Sequence, residues 1–165
     1  MHTFLRWFDK NVWRLVWTWL RRIGLASVRK RAACVPARVG ARGAPEVLLI
    51  ESQKKPGTFV FPGGGIDGAE SAEVAALREL YEEAGVSGHG LLRLGQFLDS
   101  SSSTRTSIFL VTVDEEHETW PEGHLGRKRR WFAIADLERN VSTKALHQHT
   151  LALLLARRLT ADDVK

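Results

Sequence analysis

The sequence is poor in cysteine, and it has no internal repeat and no low-complexity tract. One cysteine among 165 residues excludes a disulfide within the chain, and no cysteine-based zinc pattern is present. Because Cys34 lies in the apolar run Ala32–Val35, it is predicted to be an inert, buried side chain. The length and the apolar content of 44% suit a single domain with a proper core.

Acidic residues are nearly absent from the first 45 positions. Residues 1–45 hold ten Lys or Arg and a single acid, Asp9, whereas residues 46–165 hold fourteen Lys or Arg and eighteen acids. The net charge of +5 therefore arises from the amino-terminal part and does not describe the rest of the chain. The basic balance is consequently no evidence for nucleic-acid binding, and we expect no specific nucleic-acid partner.

Residues 1–27 form a leader, predicted to be a basic, tryptophan-rich amphipathic helix over residues 4–23. It contains four of the six tryptophans, and its basic and apolar positions lie on different helical faces. Such a helix suits a membrane interface, whereas Arg14 interrupts the apolar run well short of the about 18 residues of a span. Three interpretations stay open: packing on its own domain or on a second subunit, contact with a membrane surface, and organellar targeting. The expected location is cytoplasmic, with a peripheral membrane position or an organelle as alternatives.

The most informative segment is a helix predicted over residues 72–84, which has no internal glycine or proline. Ser71 is the expected amino-terminal cap, with Asp67 as an earlier candidate, and Gly85 is expected to end the helix in a left-handed conformation. The apolar arc predicted to face the core consists of Val74, Leu77, Leu80, Tyr81 and Ala84.

Three carboxylates lie roughly opposite that arc. Glu79, Glu82 and Glu83 stand at i, i+3 and i+4, so they share one side of the helix and repel one another unless a cation relieves them. Mg²⁺ prefers oxygen ligands of this kind. A solvated acidic face is the common alternative, but the glycines at 63–65 offer bare backbone close by. Arg78 can pair with Glu82, and metal-assisted attack on a phosphate chain is the first hypothesis.

The remaining pattern predicts an α/β domain over residues 28–160, followed by a short tail at 161–165. Strands are predicted over residues 30–39, 47–50, 58–61, 91–97, 106–113 and 130–134, and a second helix over 145–159. The segments 38–45, 54–57, 99–105 and 115–126 are predicted to be turns, loops or irregular connections. This order predicts a mixed sheet between layers of helices.

The spacing of Gly64, Glu70 and the run from Arg78 to Val86 resembles the box of the Nudix hydrolases, with every fixed position filled. The resemblance implies a Nudix-type α/β/α sandwich with a mixed β-sheet, here preceded by the amphipathic leader. It also implies a pyrophosphohydrolase that depends on Mg²⁺, with Mn²⁺ as the alternative ion.

The same resemblance assigns roles to single residues. It implies that Glu79, Glu83 and the Gly63 carbonyl bind the metal. It implies that Glu82 either binds metal or acts as the base, and that Arg78 orients the acidic cluster. The positions implied to be structural are Gly64, Glu70 and Gly85.

Basic residues outside the box favour a very highly anionic substrate, provided that they converge on one cleft. Within the Nudix family the chain is similar to the diphosphoinositol polyphosphate phosphohydrolases, on segments 30–34, 61–66, 81–86 and 126–132. By position, that similarity implies phosphate contacts at Arg29, Lys30, Arg31, Ser52, Lys54, Arg127 and Lys144. Arg105, which ends a serine loop, is a further basic candidate.

One departure from that group is the loop Ser100–Ser103, which has serines where the group has basic residues. A serine donates hydrogen bonds but carries no charge, so the grip on an inositol core is expected to be weaker. The expected function is hydrolysis of a P–O–P bond in a polyphosphorylated small molecule, first of all a diphosphoinositol polyphosphate. Diadenosine polyphosphates or other nucleoside-diphosphate-linked compounds are the alternative substrates, and a membrane-associated polyphosphate-binding protein is the non-enzymatic alternative.

Overall fold

The computed structural model describes residues 28–164, so the predictions for the leader lie outside the described residues. The strands are β1 (Arg29–Val39), β2 (Pro45–Ser52), β3 (Lys55–Val60), β4 (Gly63–Gly65), β5 (Val86–Asp99), β6 (Thr104–Glu116) and β7 (Arg129–Ala133). The helices are α1 (Ala72–Ala84), α2 (Leu137–Asn140) and α3 (Ala145–Arg157), with 3₁₀ turns at Gly123–Leu125, Ile134–Asp136 and Ala161–Val164. Within this part of the chain no helix is long and apolar enough to cross a membrane.

The strands form one mixed sheet with β1 near its centre. The main order is β3-β2-β1-β6-β5, while β4 pairs with β1 and β7 pairs with β2. The β1–β6 pairing is parallel, from Arg29 opposite Thr104 to Ala37 opposite Thr112, and the other strand pairs are antiparallel. Because β4 pairs with residues 31–33 of β1, the glycines lie beside the first residues of the central strand.

Alternating side chains of the central strands supply two separate cores. Val35, Ile108 and Leu110 belong to one buried cluster, which also contains Leu151 and Leu154 of α3. The intervening residues on the strands pack against α1 in the other cluster. This period-two alternation buries both faces of the sheet. The predicted α/β/α sandwich is therefore confirmed, and Val164 of the final 3₁₀ turn lies in the α3-side core.

Three details of the sequence-based prediction are corrected. Residues 63–65 form a strand, because they pair with β1, and Lys55–Gly57 belongs to β3. The buried face of α1 differs as well: Val74 and Tyr81 are 54% and 44% exposed. The residues of α1 that are buried are Ala75, Ala76, Leu80 and Ala84. The small side chains of Ala75 and Ala76 let the helix approach the sheet closely. The helix face that contacts the sheet is therefore centred on these alanines, and Val74 and Tyr81 lie outside it.

Candidate active site

Helix α1 begins and ends where its capping residues predict. The Ser71 hydroxyl accepts a hydrogen bond from the Val74 N–H at 3.2 Å, which satisfies one of the unpaired amides of the first turn. Gly85 adopts the left-handed conformation with φ 62° and ψ 38°, and its N–H donates to the Tyr81 carbonyl. The helix therefore has a fixed length, and Glu79, Glu82 and Glu83 occupy its last two turns.

The carboxylates of Glu79 and Glu83 both lie against the glycine strand β4. The Gly63 N–H donates to Glu83 Oε2 at 2.7 Å. A Cβ at Gly64 would lie 2.1 Å from Glu79 Oε1, so the absence of a side chain at this position leaves the space that the carboxylate fills. Glu83 therefore lies against Gly63 and Glu79 against the next residue, Gly64. Each of the two glutamate side chains is 14% exposed.

Arg78 connects the acidic residues to one another. Its Nη1 donates to Glu79 and to Glu82, each at 3.0 Å, and the second contact confirms the predicted pair between Arg78 and Glu82. Its Nη2 donates to the Gly65 carbonyl at 2.9 Å and to Glu70 at 2.8 Å. The Arg78 guanidinium lowers the pKa of the Glu70 carboxyl. Glu70 thus forms an ion pair with Arg78, the arginine that orients the acidic cluster.

A second arginine, Arg127, holds Glu83 from the other side. Its Nη2 lies 2.7 Å from Glu83 Oε1, its Nε donates to Glu122 at 2.6 Å, and its Nη1 donates to the Glu51 carbonyl at 3.0 Å. With a side chain only 7% exposed, Arg127 is a nearly buried partner of two acids. Its position also places it in the wall of the cavity described below.

The donor set on α1 and β4 suits a hard divalent cation. Burial raises the pKa of the Glu83 carboxyl to about 7, and burial also raises the pKa of Glu79, to which the neighbouring Glu82 adds. Two largely shielded acids, Glu79 and Glu83, and a backbone carbonyl offer the oxygen ligands that Mg²⁺ prefers. Among residues 28–164, no three acidic, histidine or cysteine side chains are grouped closely enough to hold an ion as they stand. Arg78 and Arg127 bind oxygens of these carboxylates, and Arg31 donates to the Gly63 carbonyl at 2.8 Å.

A cavity of about 440 Å³ adjoins this cluster between β1, β2, β4 and the start of α3. Glu83, beside Gly63 of β4, forms its acidic edge. Most of the predicted phosphate contacts converge on it: its walls include Arg29, Arg31, Ser52, Lys54, Arg127 and Lys144. The predicted convergence of basic residues on one cleft is thus present for five of them, with Ser52 as a neutral sixth position.

Two predicted substrate contacts, Lys30 and Arg105, are not among the residues that line the cavity. Lys30 lies between Arg29 and Arg31, and Arg105 lies opposite Lys30 in the β1–β6 register. Neighbouring residues on a strand point to opposite faces of the sheet. Since Arg29 and Arg31 reach the cavity, Lys30 and Arg105 point to the α1 side.

Several residues of the cavity were absent from the sequence-based prediction. Asp99 and Ser102 bring the serine loop into the wall, where the Asp99 carboxylate accepts from Ser101 and from the Ser102 hydroxyl. These serine hydrogen bonds lower the pKa of Asp99. His147, in the first turn of α3, also lines the cavity. Burial, with Lys144 and Arg31 nearby, lowers its pKa to about 4, so it is neutral near pH 7. His147 follows Lys144, the capping residue of α3, by three positions. Since residues three apart on a helix are neighbours, this spacing is the signal that could have placed His147 beside the predicted phosphate contact Lys144.

A comparison with protein families matches most of this chain. The NUDIX domain matches residues 28–154, which includes β1, β4, α1 and most of α3. In the human protein named diphosphoinositol polyphosphate phosphohydrolase 2, 109 residues are 41% identical, covering 66% of this chain and 59% of that protein. In mouse diphosphoinositol polyphosphate phosphohydrolase 3-alpha, 110 residues are 43% identical, covering 66% of each chain. The chain thus spans about 60 to 66% of the length of such relatives.

Solved structures agree with the fold. A MutT structure from work on Aliivibrio salmonicida and Vibrio cholerae superposes with a TM-score of 0.60 at 23% identity, covering 77% of this chain and 96% of that one. A mutT/nudix family protein from Listeria innocua superposes with a TM-score of 0.58 at 23% identity, covering 81% and 94%. At this identity the likeness supports the fold alone.

Proposed function

Because this chain belongs to the NUDIX domain family, we propose that it is a Mg²⁺-dependent pyrophosphohydrolase of highly phosphorylated small molecules. The observation that carries the proposal is the junction of two surfaces. The α1 carboxylates lie against the glycine strand, and the basic cavity begins at the same strand. An acidic edge beside a basic cavity suits a metal-bound diphosphate whose remaining phosphates are held by arginine and lysine.

Each group in the site has a distinct task in this proposal. Glu79, Glu83 and the Gly63 carbonyl are the residues that would hold Mg²⁺. When bound, the ion neutralises the diphosphate and lowers the pKa of a water on it. Glu82 is the candidate to accept the proton of the attacking water, because its side chain is 41% exposed and Arg78 fixes its direction. Arg31 and Lys54 hold the phosphates that are not cleaved, and they stabilise charge that develops during the reaction.

The substrate we propose first is a diphosphoinositol polyphosphate. The support is the name of the relatives at 41 to 43% identity together with the basic walls of the cavity. The reaction would break the P–O–P bond of the diphosphate with water and leave the other phosphates in place.

A dinucleoside polyphosphate such as a diadenosine polyphosphate is the second candidate. The observation that favours it is the serine loop, because Asp99 and Ser102 bring a carboxylate and hydroxyls to one wall of the cavity. A carboxylate repels a phosphate-covered inositol ring but tolerates a ribose, whose hydroxyls can donate to it.

A substrate panel with and without Mg²⁺ tests the proposal. The panel contains inositol pyrophosphates, diadenosine penta- and hexaphosphate, ADP-ribose and nucleoside triphosphates, and the readout is phosphate or nucleotide release. Glu83→Gln and Glu82→Gln should lower the turnover on the best substrate by about 10²-fold or more. Glu73→Gln, an exposed acid in the first turn of the same helix, is the matched control and should keep the native rate.

Two results would contradict this function. The first is a Glu83→Gln protein that hydrolyses diphosphates at the native rate, because the acidic edge would then have no part in the reaction. The second is native protein that releases nothing from any member of the panel with Mg²⁺ or Mn²⁺, which would favour a polyphosphate-binding protein instead.

A further inference from the structure

The carboxyl end of α1 is closed by a distant segment of the chain, residues 117–129, which we call the clamp. The last four carbonyls of a helix have no partner within the helix, and α1 has no basic residue in its last turn. The clamp supplies a donor to each carbonyl from residue 82 to residue 85. The donors are Glu122 N–H to Glu82 at 3.0 Å, Trp120 Nε1 to Glu83 at 3.2 Å, Arg129 Nη1 to Ala84 and Gly85 at 2.7 Å, and His117 N–H to Gly85 at 2.8 Å.

Trp120 lies at the centre of the clamp. The Arg129 guanidinium stacks on its ring at 4.2 Å from the centroid. The ring is also wedged between two glycines, because a Cβ at Gly85 or at Gly123 would lie 2.5 Å from its atoms. One indole thus fixes the helix terminus, the arginine that binds the terminal carbonyls, and the turn that leads to Glu122.

The clamp also reaches the acidic side chains. Arg127 donates to the Glu83 carboxylate, and Glu122 accepts from Arg127. Both the main chain and the side chain of Glu83 are therefore held by residues outside the box. The position of this carboxylate relative to Gly63 depends on contacts with a segment about 40 residues further along the chain.

We propose that Trp120 is a positioning residue for the reaction, acting through the end of α1. Without its indole, Arg129 loses its stacking surface, the last turn of α1 loses a donor at Glu83, and the carboxylates of Glu82 and Glu83 shift relative to β4. The substrate phosphates are held by the cavity walls, which Trp120 does not line. Arg127 is the clamp residue that does line them, and its hydrogen bond to the Glu51 carbonyl at 3.0 Å, outside the clamp, holds it in the wall without Trp120. Its loss is therefore expected to affect turnover and the metal requirement, and to leave substrate affinity unchanged. This proposal rests on the function proposed above.

Trp131 provides a matched control. Its ring also carries a stacked arginine, Arg38 at 3.9 Å, and its Nε1 also donates to an oxygen, that of the exposed Glu116 side chain at 2.9 Å. Its indole N–H has no contact with a carbonyl of α1. Trp120→Phe and Trp131→Phe each keep an aromatic ring and remove one indole donor, so they differ in which oxygen loses its partner.

The test compares these variants in turnover, in KM and in the Mg²⁺ concentration that gives half-maximal rate. Trp120→Phe should lower kcat by about 3- to 10-fold, the size of one hydrogen bond. Trp120→Ala should lower it by about 30- to 100-fold and raise the Mg²⁺ midpoint several-fold, in line with a carboxylate displaced by about 1 Å. KM should stay within about twofold in both, and Trp131→Phe should match the native protein, because no interaction with the substrate is removed.

A readout without metal or substrate separates this proposal from the function on which it rests. In the metal-free protein, the amides of residues 82–85 should exchange with solvent faster in Trp120→Ala than in Trp131→Ala, since only the first variant frees the helix terminus. Equal exchange of these amides in Trp120→Ala and Trp131→Ala would overturn the positioning role. The same conclusion would follow if the kcat of Trp120→Ala fell only in proportion to its folded fraction while its Mg²⁺ midpoint stayed at the native value. Faster exchange in Trp120→Ala than in Trp131→Ala, found together with native protein that hydrolyses nothing in the panel, would uphold the clamp and overturn the proposed function instead.

Discussion

Replacing Gly64 by alanine should lower the turnover rate by about 10²-fold while leaving the fold in place. The new Cβ would lie 2.1 Å from Glu79 Oε1 and 2.3 Å from its Cδ, whereas real Cβ contacts essentially never fall below 3.0 Å. The carboxylate must therefore move by about 1 Å, and a misplacement of this size in a reacting group costs about 10²-fold in rate. That loss corresponds to about 2.7 kcal/mol of transition-state stabilisation.

The cost to folding should be small. The atoms that clash belong to the end of a flexible side chain, which can turn away. The contact between Arg78 Nη1 and Glu79 at 3.0 Å weakens, at about 1 kcal/mol. An alanine in place of a glycine recovers about 0.4–1 kcal/mol through the unfolded chain, because the backbone of Gly64 has no positive φ. The melting temperature should therefore stay within a few degrees of the native value.

The neighbouring glycines are matched controls with different outcomes. At Gly65 the nearest atom to an added Cβ is Asp67 Oδ1 at 3.8 Å, so Gly65→Ala should be active and stable. At Gly63 the Cβ would meet the Ala32 carbonyl oxygen at 2.5 Å. Because that atom is backbone and cannot turn away, Gly63→Ala should lose stability. The assay is kcat on the best panel substrate, with thermal unfolding of each variant. A Gly64→Ala protein with native kcat would refute the assignment of Glu79 to the site.

Three further predictions concern stability and reactivity. Gly85→Ala should destabilise the protein by more than the about 1–2 kcal/mol of a left-handed alanine, since its φ is 62° and Trp120 lies 2.5 Å away; urea unfolding that gives a smaller loss would contradict the packing. The pKa of His147 falls from 6.5 to about 4 on folding, so the unfolded state binds the extra proton as the pH drops from 6.5 to 4. The contribution of His147 to stability should therefore fall by up to about 3 kcal/mol in that window, against the opposite contribution of Glu83, whose pKa is raised to about 7 on folding. From pH 7 to pH 4.5 the free energy of unfolding of His147→Gln, measured with urea, should rise relative to that of native protein, and an identical pH dependence of the two proteins would refute this role of His147. Burial raises the pKa of Cys34 far above its usual range, so a thiol reagent at pH 8 should label native protein only after denaturant is added, and rapid native labelling would show that the α1-side core is open.

The parts of the site that are local in sequence were predictable. The boundaries of α1 follow from Ser71 and Gly85, whose capping hydrogen bonds join residues three or four positions apart in the sequence. The pair between Arg78 and Glu82 follows from helical spacing. The β-strands of the centre, such as β1 and β2, follow from apolar runs that suit a strand buried on both faces.

The features that were not predictable depend on pairing between distant segments. Three glycines have no propensity for a strand, and β4 exists because β1 offers it a partner. The face of α1 that is buried is chosen by the sheet, which accepts Ala75 and Ala76 more closely than larger residues. Lys30 lies outside the cavity although Arg29 and Arg31 line it. Strand alternation explains this difference, but only once the structure has shown on which face of the sheet the cavity lies. The clamp has no local pattern, since its donors become partners of α1 only in the folded protein.

The parallel pairing of β1 with β6 has a consequence for biosynthesis. Residues 29–37 are made before their partners at 104–112, which leave the ribosome only after about 70 further residues have been added. Pairing over such a sequence distance is slow, and the unpaired edge of a strand is prone to aggregation in the meantime. A nascent chain that stops before Thr104 therefore already contains the whole acidic helix, yet it has no complete sheet to support it. The acidic helix therefore gains the support of the complete sheet only after β6 has been made, and we expect chains that terminate before Thr104 to be insoluble rather than partly active.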